Sequence, residues 1–247
     1  MDALTAAAAS GIRARIETLD MLANNLANSS AAGFKTDSES YGLYVSDEAA
    51  ESPTGTNPAI LPVIQNRWTD FSQGTLLSTN NSTDFALSGK GFFVADTSSG
   101  LVYTRGGNFQ LSGNGQLQTL DGYAIQGNDG KPIVLDSSKP FEVLPDGAVQ
   151  QDGQEISRIN VVDFEDPRVL SKRGSNYFQN NAPSSNPAAA TQVQVRQGKL
   201  EASNSESGHS AARLVTILRQ FEALQKAMTI GADMNRRAVE DVAKISS

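Results

Sequence analysis

The chain contains no cysteine and a single histidine, His209. Without cysteine there is no disulfide framework, no thiol nucleophile and no thiolate-bound zinc. One histidine removes Ser-His and Cys-His catalysis almost entirely, and with it any His-rich metal site. His209 lies in the Ser/Gly/His stretch from Ser203 to Ser210 and reads as a solvated residue near a helix start. Tryptophan is equally scarce. Trp68 is the only one, so a sugar-stacking platform is poorly supported, and beside Phe71 it reads as a packing anchor. No apolar run approaches the length of a transmembrane helix. No block of Lys or Arg offsets the net charge of −7, which argues against a binder of nucleic-acid phosphates.

Chemical motifs are also missing. Gly89-Lys90-Gly91 lacks the upstream glycine and the following Ser/Thr of a phosphate-binding loop, and no G-x-G-x-x-G opens a helix after a strand. Asp163, Glu165 and Asp166 cluster, but without the glycine and terminal glutamate of a calcium loop, and Pro167 follows at once. A solvated turn is the expectation there. A glycosidase needs two carboxylates facing across a cleft, and nothing among the 27 acidic residues singles out a pair. No enzyme, cofactor or metal site is expected. The opening run MDALTAAAASGI has Asp2 where a secretory signal needs positive charge, so it reads as a helix start.

What the sequence does contain is helical periodicity at its two ends. Ile12, Ile16, Leu19, Ala23 and Leu26 alternate steps of four and three, with Leu4 and Leu22 flanking them, which is the seam spacing of a coiled coil. Gly33 suits a left-handed C-cap. Near the other end Leu214, Phe221, Met228, Asn235 and Val242 recur every seven residues. Offset by three run Ile217, Leu224, Gly231, Ala238 and Ile245, so the two series form an a/d seam with Asn235 as a polar a position. An ordinary amphipathic helix on the protein's own core is the alternative.

Between the ends the pattern is one of short strands and turns. Phe85-Ala86-Leu87, Phe92-Phe93-Val94, Leu101 to Thr104 and Ile159 to Val162 are separated by turns such as Gly113-Asn114-Gly115, Asp129-Gly130, Asp146-Gly147 and Asp152-Gly153. This is an antiparallel β grammar. Ser46–Pro62 and Ala182–Thr191 read as flexible connectors. The fold class expected is α+β: paired N- and C-terminal coiled-coil-type helices around a central antiparallel β domain. The expected domains are residues 1–33 for the N-terminal helix, 34–80 for an extended connector, 81–200 for the β domain and 201–247 for the C-terminal helix. A lone helix pair is marginal in water, so the ends are expected to be poorly ordered in an isolated monomer.

One stretch stands out, MLANNLANSSAAGFKTD at residues 21–37. Asparagine is a mediocre helix former because its amide competes for backbone groups, yet Asn24, Asn25 and Asn28 surround Leu26. They are expected to bond adjoining subunits, the alternative being that they face water or cap their own helix.

The motif Ala23-Asn24-Asn25-Leu26-Ala27-Asn28, followed by Gly33-Phe34-Lys35, resembles the N-terminal signature of bacterial flagellar rod and hook proteins. The resemblance continues through Gly89-Lys90-Gly91-Phe92-Phe93, Tyr103-Thr104-Arg105-Gly106-Gly107-Asn108-Phe109, Asn114-Gly115-Gln116-Leu117 and Gly122-Tyr123. Gly198-Lys199-Leu200-Glu201-Ala202-Ser203-Asn204 and, in the last helix, Arg219-Gln220-Phe221-Glu222 with Lys226 extend it across almost the whole chain in order. The length and the Met1-Asp2 start look most like the proximal-rod branch, with the distal-rod branch close. Ala31-Ala32-Gly33 departs from the family's usual Thr-Pro-Gly or Thr-x-Gly, and Ser205 stands where the family tends to place Val.

The resemblance implies a subunit whose paired terminal helices form an inner tube with the β domain outside. It also implies export without cleavage through the flagellar type III apparatus, and assembly in the periplasm with copies of itself and other rod and hook axial proteins. No nucleic acid and no membrane insertion enter that picture. The assembly residues expected are Ile12, Ile16, Leu19, Ala23, Asn24, Asn25, Leu26 and Asn28, then Leu214, Ile217, Phe221, Leu224, Met228, Asn235, Ala238, Val242 and Ile245. Charge at Leu19 or Leu224 is expected to block assembly. The competing class is a β-rich protein- or carbohydrate-binding module with helical oligomerisation ends, which predicts closed oligomers and a ligand pocket within residues 81–200.

Overall fold

The computed structural model describes residues 3–45, 60–174, 176–182 and 185–245. The chain divides into two units, a helical one formed by Met1–Ala27, Asp37–Trp68 and Ser207–Ser247, and a β unit formed by Asn28–Thr36 and Thr69–Glu206. The class is α+β.

In the helical unit, α1 spans Ala3–Ala27 and α2 spans Ser207–Ile245. They lie against one another, the end of α1 meeting the start of α2: Met21 and Leu22 are buried with Ile217, and Leu19 and Leu214 pack onto them. At a rise of about 1.5 Å per residue, the 39-residue α2 outlasts the 25-residue α1. Strands β1 (Asp37–Val45) and β2 (Ile60–Thr69) form a two-stranded sheet. These strands fall inside residues 34–80, the stretch whose polar composition suggests an extended connector. Most of the first proposed flexible segment, residues 46–59, lies outside the described residues, whereas residues 60–62 belong to β2.

The β unit contains β3 (Leu76–Ser78), β4 (Phe85–Gly89), β5 (Phe92–Thr97), β6 (Gly100–Thr104), β7 (Phe109–Leu111), β8 (Leu117–Thr119) and β9 (Ala124–Ile125). It continues with β10 (Phe141–Val143), β11 (Ala148–Gln151), β12 (Gln154–Arg158), β13 (Val161–Asp163), β14 (Leu170–Arg173) and β15 (Tyr177–Asn180). The last strands are β16 (Ala188–Ala189), β17 (Val193–Gln197) and β18 (Lys199–Glu201). A nine-stranded sheet runs β14-β15-β6-β5-β9-β8-β7, with β13 on β5 and β16 on β13; β10-β11-β12 form a separate three-stranded sheet. The paired strands are antiparallel, as alternation and glycine-containing turns predict, for example Val94 opposite Tyr103 and Phe109 opposite Thr119.

Alternation sends side chains of one strand to two cores. Phe93, Ala95, Val102, Phe109, Leu117 and Ile125 enter one cluster with Phe85, Leu87, Val149 and Val195. Phe92, Val94, Tyr103, Phe164 and Phe178 enter the other. Phe71 joins the second, 5.5 Å from the Phe92 ring and 5.1 Å from Phe178. Trp68, three residues earlier, is 42% exposed. The anchoring expected of Trp68 is therefore supplied by Phe71, because β2 carries Trp68 within the helical unit and the chain reaches the β core only afterwards. In the acidic cluster, Asp166 caps the short 3-10 helix Pro167–Val169 by accepting the Arg168 N–H, and Asp163 accepts that of Phe164. No helix among the described residues is long and apolar enough to cross a membrane.

Candidate assembly interface

The amphipathic pattern of α1 folds onto two neighbours at once. Leu19, Met21 and Leu22 face α2. Thr18, fully buried, shares a hydrogen bond with the Tyr41 hydroxyl on β1, and that hydroxyl also donates to Glu39 Oε1 at 2.7 Å. The Arg15 guanidinium stands 4.9 Å from the Tyr41 ring centroid, and Arg213 of α2 approaches Glu39 to 3.9 Å. Glu39 Oε2 is buried without a hydrogen-bond partner among the described residues.

Asn25 is buried, and its amide is consumed inside the chain. Nδ2 donates to the Asp37 carbonyl at 2.8 Å and Oδ1 accepts the Asp37 N–H at 3.1 Å. In the single chain the Asn25 amide is therefore already paired, with the first residue of β1. The chain turns after Ala27 and brings the first residue of β1 back beside α1, where its peptide groups need partners. Asn24 is exposed and Asn28 half-buried, and each is engaged in an interaction.

The apolar stripe read from α1 is split. Ile12, Leu19 and Leu26 are half-buried, while Ile16 is 44% exposed and Ala23 is exposed. Ile16 and Ala23 are thus outside the seam with α2, where Met21 and Leu22 take their place. On α2, Ile217 and Gly231 are buried and Leu214, Phe221, Leu224 and Met228 half-buried, following the two heptad series. Asn235 is exposed, and the side chains of Ala238, Val242 and Ile245 lie outside the described residues. A second apolar set on α2 is uncovered: Val215, Leu218, Ile230 and, at 65% exposed, Met234.

The signature motifs of the β unit converge on a buried polar node. Lys35 and Glu201 are both fully buried, with the ammonium 2.5 Å from Glu201 Oε1 and 2.6 Å from the Ser72 carbonyl it also bonds. Gly74 N–H donates to the same carboxylate oxygen at 2.9 Å, and Arg105 Nη1 reaches the other at 3.3 Å. Arg105 Nη2 donates to the Gly89 carbonyl at 2.8 Å, and its guanidinium lies 5.5 Å from the Phe92 ring centroid. Burial lowers the pKa of both Lys35 and Arg105, and the Glu201 carboxylate opposes that shift.

The backbone closes the same node. Gly33 N–H donates to the Glu201 carbonyl at 2.7 Å. Gly33 has φ +69°, and a Cβ there would lie 2.2 Å from the Arg105 carbonyl carbon, so only glycine fits. Asn204 binds two chain segments: Oδ1 accepts the Thr36 N–H at 2.8 Å, and Nδ2 donates to the Asp70 carbonyl at 2.8 Å. Lys172 covers the Phe34 ring at 4.4 Å and donates to the Lys35 carbonyl.

These residues are those of the sequence motifs. Gly33-Phe34-Lys35, Arg105 within Tyr103–Phe109, and Glu201 with Asn204 are far apart in the chain and meet here. The resemblance identified the motifs, but sequence reasoning gave a role only to Gly33, as a left-handed cap, and none to Lys35, Arg105, Glu201 or Asn204. The available signal was charge in otherwise small or apolar company.

Comparison with known proteins bears on the same segments. The family model described as flagellar hook protein FlgE/F/G D1 domain matches residues 86–154, and the one described as flagellar basal body rod FlgEFG protein C-terminal matches residues 196–240. A flagellar basal-body rod protein FlgF of Caulobacter vibrioides is 33% identical over 92% of this chain and 93% of its own length. The chain belongs to the flagellar basal-body rod protein family.

Within that family it is similar to both FlgF and FlgG. The FlgF of Mesorhizobium japonicum is 28% identical over 90% of each chain, and the FlgG of Bacillus subtilis is 29% identical over 93% of this chain and 95% of its own. The first matched segment of this rod-family chain runs from β4 to β12 and contains Arg105; the second contains Glu201, Asn204 and most of α2.

Proposed function

We propose that this rod-family protein is a structural subunit of the bacterial flagellar basal-body rod, assembling through its terminal helices into the shaft that transmits torque to the hook. The observation that carries the reading is the apolar surface left after α1 and α2 have paired. Ile16 on one helix and Ile230 and Met234 on the other are all more than two-fifths exposed. Helices apolar on more than their internal seam are buried in larger assemblies. Among the described residues α2 also extends beyond α1 at the far end of the pair.

A head-to-tail neighbour would cover both features, and such heterologous contact builds an open helical assembly. Coiled-coil pairing of α1 with α2, through Leu19 and Leu22 against Leu214 and Ile217, forms the element that is added. The neighbours are copies of this chain and other axial proteins, and the tube lies in the basal body where it crosses the periplasm. Export proceeds through the flagellar type III apparatus without cleavage of a signal, and the terminal helices become fully ordered on joining the tip. The role is structural, with no catalytic chemistry. The binding-module alternative is not favoured, since relatives matched over nine-tenths of the chain carry rod names.

The test is the protein content of purified hook–basal bodies by mass spectrometry. The chain is expected in the rod fraction; recovery only as a soluble species outside intact basal bodies would overturn the proposal.

A further inference from the structure

The node has a topology that a fold-stabilising cluster does not need. The β unit is built from two pieces of chain, residues 28–36 and 69–206, so every connection to the helical unit leaves from the ends of those pieces. Three of those ends are bonded to one another inside the β unit. Gly33 is tied to Glu201, Thr36 to both Asn204 and Asp70, and Ser72 to both Lys35 and Asn204. The Glu201 side chain also holds Lys35, Gly74 and Arg105, the last from the loop after β6. Segments 33–36, 70–74 and 201–204 are thus clipped side by side before any of them leaves the unit.

From this arrangement we infer that the node is a mechanical clamp: load arriving through the connections is carried across Lys35, Glu201 and Asn204 instead of peeling the first and last strands from the β sheets. The reason lies in the short strands behind it. β3 and β18 are three residues each and, among the described residues, pair only with one another. Pulled from their ends, strand pairs of that length would open one hydrogen bond at a time. The clamp makes the opening cooperative, because separating segments 33–36 and 201–204 requires the buried ion pair, the Gly33–Glu201 bond and the Asn204 bonds to break together. A charge-assisted buried pair in a dry site is a strong linkage of this kind. This inference rests on the structural role proposed above for its use in the cell, but the property belongs to the single chain.

The experiment is force spectroscopy on the full purified chain. The protein has no cysteine, so paired handles can be placed uniquely. One pair, S30C with E206C, loads the node; the other, G113C with Q154C, loads the β unit between two exposed positions and bypasses it. Asn204→Ala removes one arm of the clamp while leaving Lys35, Glu201 and Arg105 in place. It is expected to raise the unfolding rate at fixed load on the order of tenfold across the first pair and to leave the second unchanged. Glu201→Gln should do the same more strongly, and if that variant does not fold, Asn204→Ala decides alone. Equal acceleration in both pulling directions, or in neither, would overturn the clamp and leave rod assembly, measured separately, untouched.

Discussion

The Lys35 ammonium stands 2.5 Å from the Glu201 carboxylate with both side chains at zero exposure, although 165 residues separate them in the chain. A buried ion pair is weak evidence for net stabilisation, but breaking one is costly because it strands an uncompensated charge. Glu201 faces two cations, Lys35 and Arg105, whereas Lys35 faces one carboxylate that keeps other donors.

The two single variants should therefore differ. Glu201→Gln is expected to lose about 3–5 kcal/mol of β-unit stability. Lys35→Met should lose less, about 1–3 kcal/mol, since Arg105 and the Gly74 N–H still satisfy Glu201. Hydrogen exchange resolved over the strands of the β unit measures both. Equal losses would show that the carboxylate does not integrate the two cations.

Gly33→Ala tests the backbone side of the same node. The residue has a positive φ, and the new methyl would meet the Arg105–Gly106 peptide at 2.2 Å. The cost should exceed the roughly 1 kcal/mol of a left-handed alanine alone, because the opposing atoms are backbone. Thermal unfolding of the β unit reads the effect, and Arg105→Lys should not rescue it.

Ile16→Asp and Ile230→Asp test the assembly surface. Both positions are exposed in the single chain, so stability is expected to stay within about 0.5 kcal/mol while incorporation into basal bodies and swimming are lost. Leu19 and Leu224, the positions suggested by periodicity, are poorer tests. Leu19 packs against the protein's own buried cluster of Met21, Leu22 and Ile217, so charge there would disturb the monomer as well. Normal motility of both isoleucine variants would remove the support for the helical surface.

Tyr177 gives a pH signature. Its phenol donates to Asp121 at 2.5 Å, and burial first, then that carboxylate, raises its pKa above the ordinary value of 10.0. A raised folded value means the native state keeps a proton that the unfolded state has released. Stability from this group is thus complete below pH 10 and falls as pH rises beyond it. Tyr177→Phe should flatten the alkaline limb of the β unit's unfolding profile above pH 10, with little change in its slope between pH 6 and 8.

Local pattern was sufficient for the two terminal helices and the antiparallel β centre, because 3.6- and 2-residue periodicities are properties of adjacent residues. The heptad series of α2 is reproduced in burial from Leu214 to Gly231. The β1–β2 pair was not legible: a polar strand such as DSESYGLYV shows no clean alternation. Nor was the division of labour on α1. Counting leucines and isoleucines finds an apolar face, but which stripe meets α2 and which stays open depends on where β1 returns and claims Thr18 and Asn25.

The sequence alone thus determined the two terminal helices, the antiparallel β centre and, through motifs distributed along the whole chain, the family. Only the tertiary structure decided that Gly33, Lys35, Arg105, Glu201 and Asn204 form one buried node. Pairing of charges across such distances in the chain leaves no periodic trace, because it is satisfied only when three remote segments are folded against each other.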